Sequence, residues 1–201
     1  IHGHSVGQPQ GPPTRMPPFP APLPGRLNVA LAHSSLDNRG PRAPSAPAAL
    51  GDLLAQGHDY WALGHVHARM VRHMDPPVVW PGNLQGRGMH ETGAKGATLV
   101  HVTQGRIARL EALALDRVRF THVPVELSGT ETERTASARL AAALDRAAGQ
   151  AGGRPIAARL EVSGAGPAIR PALAALAEAL APRIAPHLVI ENIRVASDRA
   201  A

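Results

Sequence analysis

An α/β fold in two parts is what the sequence predicts, on three observations. Short strand patterns run through residue 116, helix patterns alternate with strands from about Arg117, and histidines close two of the early strands. A length of 201 residues accommodates one large domain or two small ones. The change of pattern divides the chain into 1–116 and 117–201.

Ile1–Val6 reads as a strand without a start signal, so the N-terminus is expected to be a cut end. Gly7–Gly25 holds eight of the twenty prolines, and such a run forms neither helix nor ladder; it is expected to be a surface loop or lid. Leu27–His33 alternates, with Leu27, Val29, Leu31 and His33 on one face of a strand that ends at His33. A second loop spans Asn38–Pro47. Ala48–Gln56 is a short amphipathic helix stopped by Gly57. Tyr60–Leu63 is an apolar strand running into Gly64-His65-Val66-His67, where an extended backbone would turn both imidazoles to one side. Val78–Trp80 ends at Pro81-Gly82, a Gly-rich turn covers Asn83–Gly96, and Ala97–Val102 with Arg106–Leu115 forms a hairpin around Gln104-Gly105.

The second part reads as strand Phe120–Leu127, helix Glu131–Ala148, strand Ile156–Val162, helix Pro167–Ile184 and strand Leu188–Val195. This is a βαβαβ module of a size that folds as a small domain. Thr130 and Glu133 have capping-box spacing, Gly149, Gly152 and Gly153 end the first helix, and Pro167 and Pro171 suit the opening turns of the second.

Composition narrows the chemistry. A 44% hydrophobic fraction with 18% charged residues is that of a globular chain. The formal charge is +6, and Lys95 is the only lysine among the cations. Such a balance favours an anionic partner, although the arginines are scattered rather than striped. Aromatics at 2% give single-stranded bases almost nothing to stack on, so backbone phosphates are the better contact. With no cysteine there are no disulfides, thiol nucleophiles or cysteine-ligated zinc, and a metal must be held by His, Asp, Glu or Asn. No apolar run reaches bilayer length, and no secretory pattern opens the chain; a cytoplasmic protein without membrane contact is expected.

Eleven histidines in 201 positions place some near one another by chance, and a lone histidine is ordinarily a core or surface residue. Placement distinguishes His33, His65 and His67: one closes a strand and two follow the next, and the strand ends of α/β sheets are where sites collect. Neutral imidazoles with carboxylates suit metal-assisted hydrolysis.

Four ordered segments carry a resemblance. Leu31-Ala32-His33, then 60–67 (YWALGHVH), then 79–87 (VWPGNLQGR), then 91–97 (ETGAKGA) resemble the calcineurin-like metallophosphoesterases. Among these the chain looks like the bacterial SbcD/YhaO type of DNA repair exonuclease. The resemblance implies the distal part of a metallophosphoesterase β-sandwich core followed by a small βαβαβ capping domain. It implies two divalent metal ions, Mn²⁺ foremost, about 4 Å apart. His33 and His65 would share one ion, and His67 would reach the other. It implies a metal-dependent phosphodiesterase on DNA, working as a homodimer with a long coiled-coil, SMC-like ATPase partner.

The departures matter equally. The family's earlier motifs, an Asp-x-His, a Gly-Asp pair and a Gly-Asn-His-Asp/Glu, do not occur between Ile1 and Leu31. The chain is therefore expected to be the C-terminal part of a longer enzyme, inactive alone, with the catalytic acid unassigned. A non-catalytic DNA- or ATPase-binding module derived from such a nuclease is the alternative, and the residues encoded before Ile1 discriminate the two. A phosphatase or small-molecule phosphodiesterase fits less well, because such proteins generally lack a βαβαβ cap. Arg87 and Lys95 could meet a phosphate but read better as solvated loop charges. Asn83 and Glu91 read as turn residues, Asp37 and Asp59 as loop caps, and His4, His73, His90, His101 and His122 as structural or exposed.

Overall fold

The computed structural model describes residues 1–3, 16, 18–36 and 48–196. His4, Asp37, the Asn38–Pro47 loop and residues 7–15 and 17 of the proline-rich stretch lie outside them. The chain forms two compact units, one of residues 1–84 and 95–115, the other of residues 85–94 and 116–201. Among the described residues no helix is long and apolar enough to cross a membrane.

The first unit is built on a five-stranded sheet. Its strands are β1 (His2–Gly3), β2 (Val29–His33), β3 (Tyr60–Gly64), β4 (Met70–Met74) and β5 (Pro77–Trp80), in the order β1-β2-β3-β5-β4. The first four in that order are parallel, and β4 is an antiparallel edge. β4 has no counterpart in the sequence reading, because its exposed Met70, Arg72 and Met74 alternate with only half-buried residues and leave little hydrophobic signal. The helix α1 is Leu50–Leu54, shorter than the 48–56 expected, with no side-chain cap at Ala49. One face of the sheet is dry: Ala30, Ala32, Trp61, Leu63, Val78 and Trp80 join Phe19 and Leu53 in one buried cluster. Removing side chains such as Phe19, Leu53, Leu63 and Val78 from water contributes about 1.5–3 kcal/mol each. The other face carries Leu31 at 43% exposure and an exposed His33. A hairpin, β6 (Gly96–Thr103) and β7 (Arg106–Ala114), completes the unit. Its two-residue turn places Gln104 at φ 50° and Gly105 at φ 76°, the left-handed pair that suits a tight hairpin.

The second unit is a parallel three-stranded sheet of β8 (Arg119–Glu126), β9 (Ile156–Ser163) and β10 (Leu188–Val195), with β9 central. The helices α2 (Glu133–Gln150) and α3 (Leu173–Ile184) alternate with these strands. Leu140, Leu144, Leu160, Val162, Leu173 and Ala177 belong to one buried cluster that closes helices onto sheet. The βαβαβ pattern is as expected, but both helix starts differ. Thr132, not Thr130, caps α2 by accepting from the Thr135 N–H. Glu131 turns back to accept the Ser128 and Gly129 N–H groups, which takes the cap two residues further along. The second helix was expected from Pro167; instead a 3₁₀ turn at Arg170–Ala172 holds Pro171 and leads into α3, a tighter first turn of the kind common at helix ends.

Residues 85–94, read from sequence as a simple turn, fasten to β8 within this unit. The Gln85 Oε1 accepts from the Arg117 and Val118 N–H groups, and the Gly93 N–H donates to the Phe120 carbonyl. The His122 ring lies 2.9 Å from the Met89 carbonyl and 2.6 Å from Glu161. Asp116, its side chain fully buried, pairs with Arg119 at 2.9 Å and Arg154 at 3.4 Å.

Candidate metal centre

Parallel pairing of β2 with β3 puts His33 directly beside Gly64 in the last registered pair of the ladder. His65 follows at once, so two imidazoles emerge at the carboxyl ends of neighbouring strands, the place where α/β sheets present ligands. Their ring centroids are 5.3 Å apart and nearly perpendicular, at 85°. Gly64 makes room for this. A Cβ at that position would stand 2.7 Å from the His33 Nδ1, closer than carbon and nitrogen tolerate. The glycine in Gly-His-x-His therefore has a steric reason.

The route taken by the chain after Gly64 corrects one expectation. His65 has φ 94°, in the left-handed half of backbone space that residues with a Cβ rarely adopt. The strand ends there, so the period of two that was to align His65 with His67 does not apply. His67 lies two residues on in a bend, half-buried. Its carbonyl accepts the Asn83 N–H at 3.2 Å, and Gly82, at φ 80°, passes so close that a Cβ would come within 3.0 Å of the same oxygen. The Pro81-Gly82-Asn83 turn thus packs directly on the backbone of His67–Arg69.

The residues present suit a cation as far as they go. His33 lines an open groove of about 560 Å³ with Leu31, Ala62, Gly64 and Pro81 among others, the His65 ring stands edge-on to that of His33, and imidazole suits Zn, Mn, Fe and Ni. Among the described residues no group of three or more His, Asp or Glu side chains is arranged to hold an ion. His33 and His65 form a pair of rings in edge contact.

The other candidates find different roles. The side chain of Glu91 is 4% exposed and accepts from the Arg87 N–H and guanidinium, so it organises its loop from the inside and raises the pKa of Arg87 through that bond. Lys95, expected in solvent, is buried at 9% exposure. Asp59 caps a loop, as expected, by accepting the Asn28 N–H at 2.7 Å. His73, His101 and His122 each hold a hydrogen bond, to Pro76, Glu111 and Glu161 respectively.

The roles of two residues escaped the sequence reading, and that of Trp80 bears on the site. Trp80 donates its indole N–H to carbonyls beside the histidines, at Ser34 and Gly64; the sequence places it in a strand and in one of the four motif segments but gives no sign of its acceptors. His58 is 2% exposed, with neither ring nitrogen hydrogen-bonded among the described residues, and it packs edge-on against His2, Phe19 and Trp61.

Comparison with known proteins adds a second line. The family described as "Metallophosphoesterase YhaO, middle domain" matches residues 120–198, all within the second unit. The chain is also 43% identical over 83 residues to the uncharacterized metallophosphoesterase YhaO of Bacillus subtilis (strain 168). That stretch is 41% of this chain and 20% of the relative, so the chain spans only about a fifth of the relative's length in the match. Both matches support a YhaO-type metallophosphoesterase, the resemblance that the histidine motifs carry independently.

Proposed function

We propose that this chain is the distal portion of a metal-dependent phosphodiesterase that acts on DNA, with His33 and His65 as ligands of one divalent ion and His67 as a ligand of a second. The observation that carries the reading is the edge-on pair of imidazoles, 5.3 Å apart at the ends of two adjacent parallel strands. The match of the second unit to the YhaO middle domain supports it. Bound ions of this kind act as Lewis acids on a phosphoryl oxygen and activate water for in-line displacement.

The chain's own contribution is placement. Gly64 clears space for the His33 ring, the Pro81-Gly82-Asn83 turn holds the backbone at His67, and Leu31 and Ala62 give the groove an apolar floor beside the imidazoles. Manganese, DNA as the substrate, a homodimer and an SMC-like ATPase partner belong to the same proposal. The formal charge of +6 agrees with a polyanionic substrate.

The test is calorimetric titration of Mn²⁺ into the chain beside His33→Ala and His65→Ala variants, together with release of product from a model phosphodiester in excess Mn²⁺. Saturable binding lost in both variants is expected. Turnover by residues 1–201 alone is expected to be low, because residues 1–31 hold no Asp-x-His or Gly-Asn-His motif. Unchanged binding in the variants would refute the ligand assignment, and robust turnover would refute the need for the earlier motifs.

A further inference from the structure

The ladder between β2 and β3 has its last registered pair at His33 and Gly64. Trp80, at the end of β5, reaches both segments just there. Its indole nitrogen is 3.0 Å from the Ser34 carbonyl and 3.0 Å from the Gly64 carbonyl. An indole has a single N–H and no acceptor, so one proton is shared in a three-centre bond. Trp80 is 1% exposed, and water does not compete for that proton.

Both carbonyls sit next to a histidine. Gly64 C=O lies in the same peptide plane as the His65 N–H, so holding that oxygen fixes the plane from which His65 departs at φ 94°. Ser34 C=O fixes the chain one residue beyond His33. We infer that Trp80 is the positioning residue of the histidine pair: one indole N–H ties the ends of β2 and β3 and thereby sets the separation of His33 and His65. This rests on the ligand assignment proposed above only for its consequence in ion binding; the positioning is a property of the protein alone. A tryptophan retained merely to fill the cluster with Leu63 and Val78 would be replaceable by another large ring.

Trp80→Phe, made in the full chain, retains most of the buried ring and removes the donor. Two readouts apply. In metal-free protein, cross-relaxation between the His33 and His65 ring protons, expected in the wild type at a 5.3 Å centroid separation, is expected to vanish in the variant. Mn²⁺ affinity by calorimetry is expected to fall about 10-fold or more, the range for loss of a group that orients a ligand.

Persistence of both the ring contact and the affinity in Trp80→Phe would overturn the inference. Loss of the contact, with no ion bound by wild type or variant, would sustain the positioning role and defeat the ligand assignment instead. Should Trp80→Phe fail to fold, hydrogen exchange of the Trp80 indole in the wild type decides: slowing by about two orders of magnitude relative to free indole is expected, and exchange at the free rate would overturn the inference.

Discussion

The two units solve the problem of covering a sheet differently. In the second, α2 and α3 close one face of a parallel sheet into a continuous apolar core, and the opposite face is lined by cross-strand ion pairs such as Arg159 with Glu191 at 3.0 Å. In the first, one face is packed under Phe19, Leu53 and the two tryptophans, while the other presents Leu31, Ala62 and His33 to an open groove. The contrast separates a region whose sequence is devoted to its own stability from one that keeps an accessible surface beside a strained backbone turn at His65. It is the ordinary division between scaffold and site.

The contrast is open to direct measurement, because Trp61 and Trp80 are the chain's two tryptophans and both lie in the first unit. Indole emission therefore follows that unit, while far-UV ellipticity is dominated by α2 and α3. The largest effect is expected from Leu160→Ala, which empties the centre of β9 at a fully buried position. A loss of about 2–5 kcal/mol should lower the denaturant midpoint of the ellipticity and leave that of indole emission in place. If both midpoints move together, the two regions unfold as one and the contrast fails.

A smaller effect should be confined to the first unit and depend on pH. Burial, and then repulsion from the nearby His2, lower the pKa of His58, against the attraction of Asp59. The folded state therefore binds a proton less readily than the unfolded chain, whose imidazole has its ordinary pKa of 6.5. Stability from this group is complete above pH 6.5 and declines as the pH falls toward the lowered value, by at most about 1.4 kcal/mol per pH unit. Indole-monitored unfolding at pH 7.5 and 5.5 should show the loss, and His58→Phe should flatten it. An unchanged slope in that variant would remove His58 as the cause.

The smallest effect tests the helix cap of the second unit. Thr132→Ala should cost about 1 kcal/mol of ellipticity-monitored stability, and Thr130→Ala under about 0.5 kcal/mol. The reverse order would restore the cap that the sequence spacing suggests.

That cap shows how far local pattern carries. The βαβαβ unit was legible because its strands and helices bury regular faces, as in the alternation of Ile156, Ala158, Leu160 and Val162. The position of the cap was not, because the capping-box spacing singles out Thr130 with Glu133, whereas Thr132, which caps the helix, has Thr135 at that spacing. It is the return of Glu131 to the Ser128 and Gly129 N–H groups that decides between them. In the first unit, His33 and His65 were legible from their places at strand ends. The direction of the chain beyond Gly64 was not, since a positive φ at histidine has no sequence mark. Nor was the role of Trp80, whose two acceptors lie just past β2 and at the end of β3 and are brought together by the order β2-β3-β5.

The path of residues 85–94 has a practical consequence for anyone dividing this molecule. They leave the first unit at Leu84, fasten to β8, and release the chain at Lys95 for the hairpin's return. A single cut before Asp116 would strip the second unit of the strap that covers its edge strand, and would leave the buried carboxylate of Glu91 and the side chain of Met89 in solvent at the stump. Transplanting either unit into another protein takes two junctions, at 84/85 and 94/95, besides the one at 115/116.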